Sequence, residues 1–181
     1  MKWEDLIMNN SQTVADQAAI LENKLVSIRN ANRQEIVKRF DKEEHRLEQV
    51  TQYQGVYFVN DSMASSVNAT YYTLETIQNQ IIWIAGGNDM STNYLELIAH
   101  VSQKVKKIIC IGASNKKLID AFSAYISDIE TCTDMEDAVR IAFYAAEKRD
   151  TILLSPACEC DDLYADYQTK GNAFKKAISQ L

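Results

Sequence analysis

Four short runs of consecutive apolar residues divide the chain from residue 56 onward. They are VYFVN at 56–60, IIWIAGG at 81–87, KIICIGA at 107–113 and TILLSPA at 151–157. Apolar residues that follow one another, rather than alternating with polar ones, are typical of strands buried on both faces. The pattern therefore predicts a parallel sheet that is covered by helices on both sides.

Segments with the spacing of amphipathic helices lie between these runs, at 70–77, 95–105, 118–125 and 135–146. The last of them follows Thr133-Asp134-Met135-Glu136, which fits a capping box that begins at Thr133. A further short strand is expected at 128–132, and a β-hairpin around Gln54-Gly55. Alternating strands and helices predict a three-layer, Rossmann-like α/β domain with a mostly parallel sheet.

The first 42 residues differ from the rest, because TVADQAAILENKLVSI and NRQEIVKRF show helical spacing around the polar stretch RNAN. We expect a helical hairpin at 1–42 and the α/β domain at 43–181. Five glycines and one proline in the whole chain argue against a flexible linker between the two.

The net charge of the chain limits the kinds of partner that it is expected to bind. The chain of 181 residues carries 19 basic and 25 acidic side chains, a net charge of −6, which disfavours nonspecific binding to nucleic acid or to an anionic membrane. The start, MKWEDLIMNNSQ, lacks the features of a secretory signal, and no apolar run has the length of a membrane span. These features predict a cytoplasmic protein whose four cysteines stay reduced.

Small and polar residues follow each apolar run: Asn60-Asp61-Ser62, Gly86-Gly87-Asn88, Gly112-Ala113-Ser114 and Ser155-Pro156. Ligands of open α/β sheets bind at the carboxyl ends of the strands, so these turns predict a site at one edge. The alternative is that each set only makes a strand-to-helix turn. The chain has neither G-x-G-x-x-G nor a phosphate loop, and Lys170-Gly171 has the reverse order and carries no weight.

Five blocks resemble, in order and spacing, the C-terminal domain of the Mur ligases, and among them the branch that adds D-glutamate to the peptidoglycan precursor. They are EHRLEQV, GVYFVNDSMASSVNAT, IIWIAGGNDM, TDMEDAV and LLSPACECDDLYADYQTKGNAF. The resemblance implies an ATP- and magnesium-dependent amide ligase of three domains. In such a ligase, ATP phosphorylates the carboxylate of the substrate, and the amine of D-glutamate attacks the resulting acyl phosphate. This chain would supply the last domain alone, without the phosphate loop or the UDP-binding domain.

The resemblance also implies roles for single residues. Arg46 and Asp61, with Asn60 beside it, match the positions that reach the phosphates and ribose of ATP. Tyr167 stands where an aromatic residue is expected. A cation and a carboxylate suit these tasks chemically.

Other matched positions depart from the family. Lysines are replaced by Met63 and Met90, a threonine by Ser65 and an asparagine by Ser66. In SPACECDD, Cys160 replaces the serine expected to hold D-glutamate, while Glu159 and Asp161 replace uncharged residues. Because D-glutamate is an anion, these changes predict a pocket of inverted charge. The alternative is that the two methionines are ordinary exposed or gap-filling residues.

A metal site at Cys158, Cys160, Asp161 and Asp162 is a weaker interpretation, because the spacing is C-x-C and no histidine is near in sequence. We therefore expect no metal ligands and no catalytic residue in this chain. Two functions stay open. In one, the chain is a ligase domain that works only with its missing domains. In the other, it is a stand-alone degenerate module that binds a nucleotide, a full-length ligase or a second copy of itself.

Overall fold

The computed structural model describes Lys24 and residues 43–87, 92–112, 114–158 and 163–181. Internal contacts divide the chain into two units, Met1–Arg39 and Phe40–Leu181, and the described ranges from residue 43 onward belong to the second. The helical hairpin expected at 1–42 lies outside the described residues except for Lys24, which is helical and exposed. The domain boundary expected at residue 43 stays a prediction.

Six strands and five α-helices make up the described part of the second unit. In chain order they are β1 (Glu48–Tyr53), β2 (Val56–Asn60), α1 (Val67–Thr76), β3 (Ile81–Ala85), a 3₁₀ turn (Leu95–Leu97), α2 (Ile98–Lys104), β4 (Val105–Ile111), α3 (Lys116–Phe122), β5 (Ile129–Cys132), α4 (Met135–Ala145), β6 (Thr151–Leu154) and α5 (Tyr167–Ile178). All the predicted strands are present, including the short one near 128–132.

The strands form one sheet in the order β1-β2-β6-β3-β4-β5. Only β1 is antiparallel to its neighbour, and it forms the expected hairpin with β2. The other neighbouring strands are parallel. This confirms the prediction of a mostly parallel, Rossmann-like α/β sheet.

Two hydrophobic cores cover the sheet, one on each face. The first packs α4 and α5 against residues such as Ile82 and Ile84 of β3. The second packs α1, α2 and α3 against the alternate residues Ile81 and Trp83. Every side chain of β3 is buried, which explains why its sequence is continuously apolar.

The crossovers change faces beside β6, which makes its carboxyl end a topological switch point of the sheet. Strand β6 lies between β2 and β3, yet α5 follows it on one face while the helices that follow β2 and β3 lie on the other. Where neighbouring strands send the chain to opposite faces, the diverging loops leave space for a ligand.

Two local expectations differ from the structure. The N-cap of α4 is Asp134, whose carboxylate accepts from the Asp137 amide at 2.8 Å, rather than Thr133. Aspartate is as good an N-cap as threonine or better, so the helix begins one residue later than the capping box predicted. Helix α5 was not predicted at all. None of the helices that the structure describes combines the length and apolarity needed to cross a bilayer.

Candidate functional site at the carboxyl edge of the sheet

The segment 155–157, which follows β6, connects the loops on either side of it. The Pro156 carbonyl accepts a hydrogen bond from the Gly86 amide at 3.1 Å, and the Ala157 amide donates to the Ala64 carbonyl at 3.0 Å. Ala157 is fully buried with φ of 61°, a left-handed conformation that is unfavourable for alanine. Such strain persists only where the surroundings fix it, and it concentrates at functional sites.

Ser155 is fixed by four hydrogen bonds, one of which its amide donates to the Ile84 carbonyl at 3.1 Å. Its carbonyl accepts from the Trp83 indole nitrogen at 2.8 Å, and its hydroxyl lies 2.8 Å from the hydroxyl of Thr70. The same Ser155 hydroxyl donates to Oδ2 of Asp61 at 3.1 Å. This serine therefore joins β3, α1 and the end of β2 in the interior of the site.

Asp61 is 3% exposed, and both of its carboxylate oxygens accept hydrogen bonds within the domain. Oδ2 accepts from the Thr73 hydroxyl at 2.5 Å as well as from Ser155, and Oδ1 accepts from the Leu47 amide at 3.1 Å. Burial raises the pKa of Asp61 to about 6, although these hydrogen bonds oppose the shift. The carboxylate that the family resemblance assigned to the nucleotide thus accepts hydrogen bonds from three segments of this domain.

His45 and Asn60 form a second buried pair beside it. The Asn60 amide nitrogen lies 3.0 Å from Nδ1 of His45 and donates to the Glu48 carboxylate at 2.9 Å. The same Glu48 oxygen accepts from the His45 backbone amide at 2.9 Å. Because an amide nitrogen only donates, Nδ1 of His45 is the acceptor of this hydrogen bond.

Arg46 follows His45 and extends outward, with 44% of its side chain exposed and its guanidinium 3.9 Å from the carboxylate of Glu43. The residues on either side have left-handed backbones, with φ of 69° at His45 and 45° at Leu47. We call residues 45–47 the Arg46 loop. Among the expected nucleotide-binding residues, the loop presents Arg46 at the surface while Asn60 and Asp61 are buried behind it.

Helix α5 brings Tyr167 to the other side of His45, with ring centroids 5.9 Å apart in an edge-on arrangement. The close approach depends on Gly171. A Cβ at this position would lie 2.2 Å from Nδ1 of His45, 2.5 Å from the Ser62 hydroxyl and 2.8 Å from the Asn60 amide nitrogen. Any side chain there would therefore separate α5 from the site.

The preceding residue, Lys170, is 1% exposed. Its Nζ lies 3.4 Å from the Gly86 carbonyl and 5.7 Å from the ring centre of Tyr164. The Lys170-Gly171 pair carried no weight as a phosphate-loop signal, yet both residues lie at the candidate site. Sequence reasoning also missed His45 and Glu48, although both stand in the EHRLEQV block, which was the available signal.

The structure describes three of the altered family positions. Met63 is half-buried and its amide donates to the His45 carbonyl at 3.1 Å, while Ser65 is exposed. Ser66 is the N-cap of α1, where its hydroxyl accepts from the Ala69 amide at 3.2 Å. Met90, Glu159, Cys160 and Asp161 lie outside the described residues, so the inverted pocket stays a prediction there.

Cys158 is 2% exposed and lies at the end of the described part of this segment. Within the described ranges, no three side chains of the histidine, cysteine, aspartate and glutamate types group closely enough to hold a metal ion.

Comparison with known proteins identifies the family. A family model described as "Mur ligase, glutamate ligase domain" matches residues 45–158. The UDP-N-acetylmuramoylalanine–D-glutamate ligase of Christiangramia forsetii is 40% identical over 164 residues, which cover 91% of this chain and 37% of that protein. The ligase of the same name from Bacteroides thetaiotaomicron is 34% identical and covers the whole chain, again only 41% of that protein. The chain spans about two fifths of the length of these relatives.

Solved structures support the fold. FolC of E. coli, in complex with DHPP and ADP, has a TM-score of 0.54 at 13% identity, covering 76% of this chain and 32% of that one. UDP-N-acetylmuramate-alanine ligase of Thermotoga maritima gives a TM-score of 0.50 at 10% identity, covering 75% and 30%. These two structures support the fold alone, whereas the family model and the sequence relatives show that the chain belongs to the Mur ligase family and corresponds to its C-terminal, glutamate ligase domain.

Proposed function

We propose that the chain is the amino-acid-binding domain of an ATP-dependent ligase that joins D-glutamate to UDP-N-acetylmuramoylalanine in peptidoglycan synthesis. The names of its relatives support this substrate pair. The observation that carries the proposal is the arrangement around His45. The exposed cation of Arg46 follows it in the chain, and the aromatic ring of Tyr167 packs against its ring.

The chemistry divides between this domain and the rest of the enzyme. The Arg46 guanidinium binds a phosphate of ATP, since a planar cation pairs well with phosphate oxygens. The amino acid lies near Tyr167, so that its amine reaches the acyl phosphate. The other domains supply the phosphate loop and hold the muramoyl substrate. This domain works by binding and orientation, which alone lower the barrier of such a reaction substantially.

Magnesium is implied by the family and would neutralise phosphate charge in the complete enzyme. No step of the proposal passes through a metal held by this domain.

The amino-acid pocket is the altered part of the site. Met63 and Met90 remove two cations at matched positions, and Glu159 and Asp161 add two acids. One unit charge at about 4 Å from another contributes on the order of 1 to 4 kcal/mol, depending on exposure. The proposal therefore includes a weak affinity for D-glutamate.

A chimera tests the proposal. The matching C-terminal part of the Christiangramia forsetii ligase is replaced by this chain, and phosphate release is measured with ATP, UDP-N-acetylmuramoylalanine and D-glutamate. We expect no turnover by the chain alone, slow turnover by the chimera, and faster turnover when the chimera carries Met63→Lys and Met90→Lys.

A control chimera carries Tyr125→Lys and Tyr144→Lys, which add the same charge at exposed positions. It should behave like the unmodified chimera. Turnover by the chain alone would contradict the division of chemistry between domains. A folded chimera that stays inactive even with both lysines restored at 63 and 90 would contradict the function and favour a degenerate binding module.

A further inference from the structure

Three glycines bring the turns after β3 and β4 into contact at the carboxyl edge. Gly86 and Gly87, which we call the β3 turn, have φ of 110° and 150°, and Gly112, after β4, has φ of 122°. A Cβ on Gly112 would lie 3.0 Å from the Cα of Gly87. Glycine adopts such φ values easily, but its own backbone restricts it little, so neighbouring groups must hold the β3 turn in one conformation.

The β3 turn has a neighbour on each side, because β3 lies between β6 and β4 in the sheet. On the β6 side, the Gly86 amide donates to the Pro156 carbonyl at 3.1 Å. On the β4 side, a Cβ on Gly86 would overlap Oδ1 of Asn115. That oxygen therefore occupies the space of the missing side chain and limits how the β3 turn can move.

Asn115 is the N-cap of α3, yet its side chain does not cap the helix. Asparagine is among the best N-cap residues, because its side-chain oxygen accepts from the amides of the first turn. Here the residue is 8% exposed, and its side-chain nitrogen donates back to the Gly112 carbonyl at 2.8 Å. No donor in the described part of the chain reaches Oδ1, which is buried against Gly86.

This arrangement of Asn115 is unfavourable for the helix that it begins. A buried oxygen without a hydrogen bond lowers stability, and the first amides of α3 lose the acceptor that an N-cap normally provides. Such a buried, unpaired group in a folded protein calls for an explanation. The contacts of Asn115 supply one, because its nitrogen fixes the side chain to the end of β4 while its oxygen packs on the β3 turn.

We infer that Asn115 is a positioning residue for the amino-acid pocket, which holds the β3 turn against the 155–157 segment from outside that pocket. The β3 turn and this segment belong to the blocks IIWIAGGNDM and LLSPACECDDLYADYQTKGNAF, where the family resemblance places the altered amino-acid positions. The part of the inference that concerns the turn needs no ligand. The part that concerns D-glutamate rests on the proposed function.

Hydrogen exchange of the Gly86 amide tests the first part on the full chain without ligand. Asn115→Ser supplies a good N-cap for α3 but lacks the amide group that contacts Gly112 and Gly86. It should speed exchange at Gly86 by about tenfold, because the β3 turn loses its support on the β4 side. The amides of Ile109 and Leu153, in core strands, report global stability and should change by less than about threefold.

Asp134→Ala is the matched control, because it removes an N-cap whose side chain does accept from its own helix, α4, on the other face of the sheet. It should speed exchange at Gly86 no more than at Ile109 and Leu153. An unchanged Gly86 rate in Asn115→Ser, or an increase no larger than that of the two core amides, would overturn the inference.

The chimera that carries Met63→Lys and Met90→Lys tests the second part. Adding Asn115→Ser should raise KM for D-glutamate about fivefold and leave KM for ATP within about twofold, because the β3 turn shapes the amino-acid pocket alone. Equal changes in the two KM values, or none, would overturn this part. A chimera that is inactive before Asn115 is replaced refutes the proposed function and this part with it, while Gly86 exchange still decides whether Asn115 holds the turn.

Discussion

The two edges of the sheet accommodate buried charged side chains in different ways. At the amino edge, Lys107 is 7% exposed and its Nζ lies 2.7 Å from Asp128 and 2.5 Å from Glu130, both about half exposed. Burial lowers the pKa of Lys107, but the hydrogen bonds to the two carboxylates outweigh that effect and leave its pKa raised. The two carboxylates therefore keep Lys107 ionised despite its burial.

At the carboxyl edge, the buried acid is held by hydroxyls and an amide instead of a lysine. Thr73, Ser155 and Leu47 all donate to Asp61, and burial still raises its pKa to about 6. The amino edge thus carries a cluster of ion pairs, whereas the carboxyl edge buries a carboxylate whose charged form is costly. We expect the stability contributed by the amino edge to depend on salt concentration and that contributed by the carboxyl edge to depend on pH.

The largest effect is expected where the carboxyl edge is packed most tightly. Gly171→Ala should lower the free energy of unfolding by about 3 kcal/mol, because the new methyl group would overlap His45, Ser62 and Asn60. Denaturant unfolding, monitored by circular dichroism, measures the change. The neighbouring Asn172→Ala, at an exposed position of the same helix, should change stability by less than about 0.5 kcal/mol. Equal effects of the two substitutions would show that α5 does not need its close approach.

A smaller effect depends on pH. The folded-state pKa of Asp61 is about 6, above the value of 3.8 expected when it is unfolded, so folding favours its protonated form. Its contribution to stability is fully present below about pH 4 and is lost as the pH rises through 6. Relative to Asp61→Asn, the wild type should lose about 2 kcal/mol of unfolding free energy between about pH 4.5 and 7.

Unfolding curves of both proteins across this range measure the loss, and the isosteric variant cancels the titration of the other groups. A difference that does not change with pH would mean that Asp61 ionises in the folded protein as easily as in water.

The carboxyl edge also carries Arg46, which we propose contacts the nucleotide. Arg46→Ala should weaken ATP binding by about tenfold, the order expected for an exposed charged hydrogen bond to phosphate. Calorimetric titration measures the affinity. Arg140→Ala is the control, because Arg140 is also an exposed arginine and, like Arg46, pairs with an acid three residues earlier in the chain, Asp137 on α4. Equal affinities for wild type and Arg46→Ala would remove Arg46 from the nucleotide site.

Much of the fold could be predicted from the sequence because buried parallel strands leave a simple signal. The run IIWIAGG predicted β3, whose side chains are all buried. Helix α5 left no such signal, because Lys170 and Gly171 interrupt its apolar positions. It forms because Phe174 and Ala177 pack on the sheet and Asp166 caps its first turn, accepting from Thr169 at 2.6 Å.

The sequence named part of the candidate site. Arg46 and Asp61 were assigned to it through the family blocks, but a resemblance transfers a role without showing what the side chain contacts. The burial of Asp61 depends on Thr73 and Ser155, which are 12 and 94 residues away in the chain. Only the placement of β6 beside β2 brings them together, and no local pattern in the sequence encodes that pairing.

The smallest predicted effect belongs to the amino edge. Lys107→Met should lower the free energy of unfolding by about 1 kcal/mol, because it leaves Asp128 and Glu130 facing each other without the cation between them. Salt screens this repulsion, so the loss should shrink in about 1 M salt, where the screening length is about 3 Å. Lys176→Met, at a more exposed pair with Glu136, should cost less than about 0.5 kcal/mol at any salt concentration. If the loss of stability in Lys107→Met does not depend on salt, the buried methylene chain of Lys107, rather than its charge, stabilises this edge. The difference between Lys107 and Asp61 would then be one of packing instead of electrostatics.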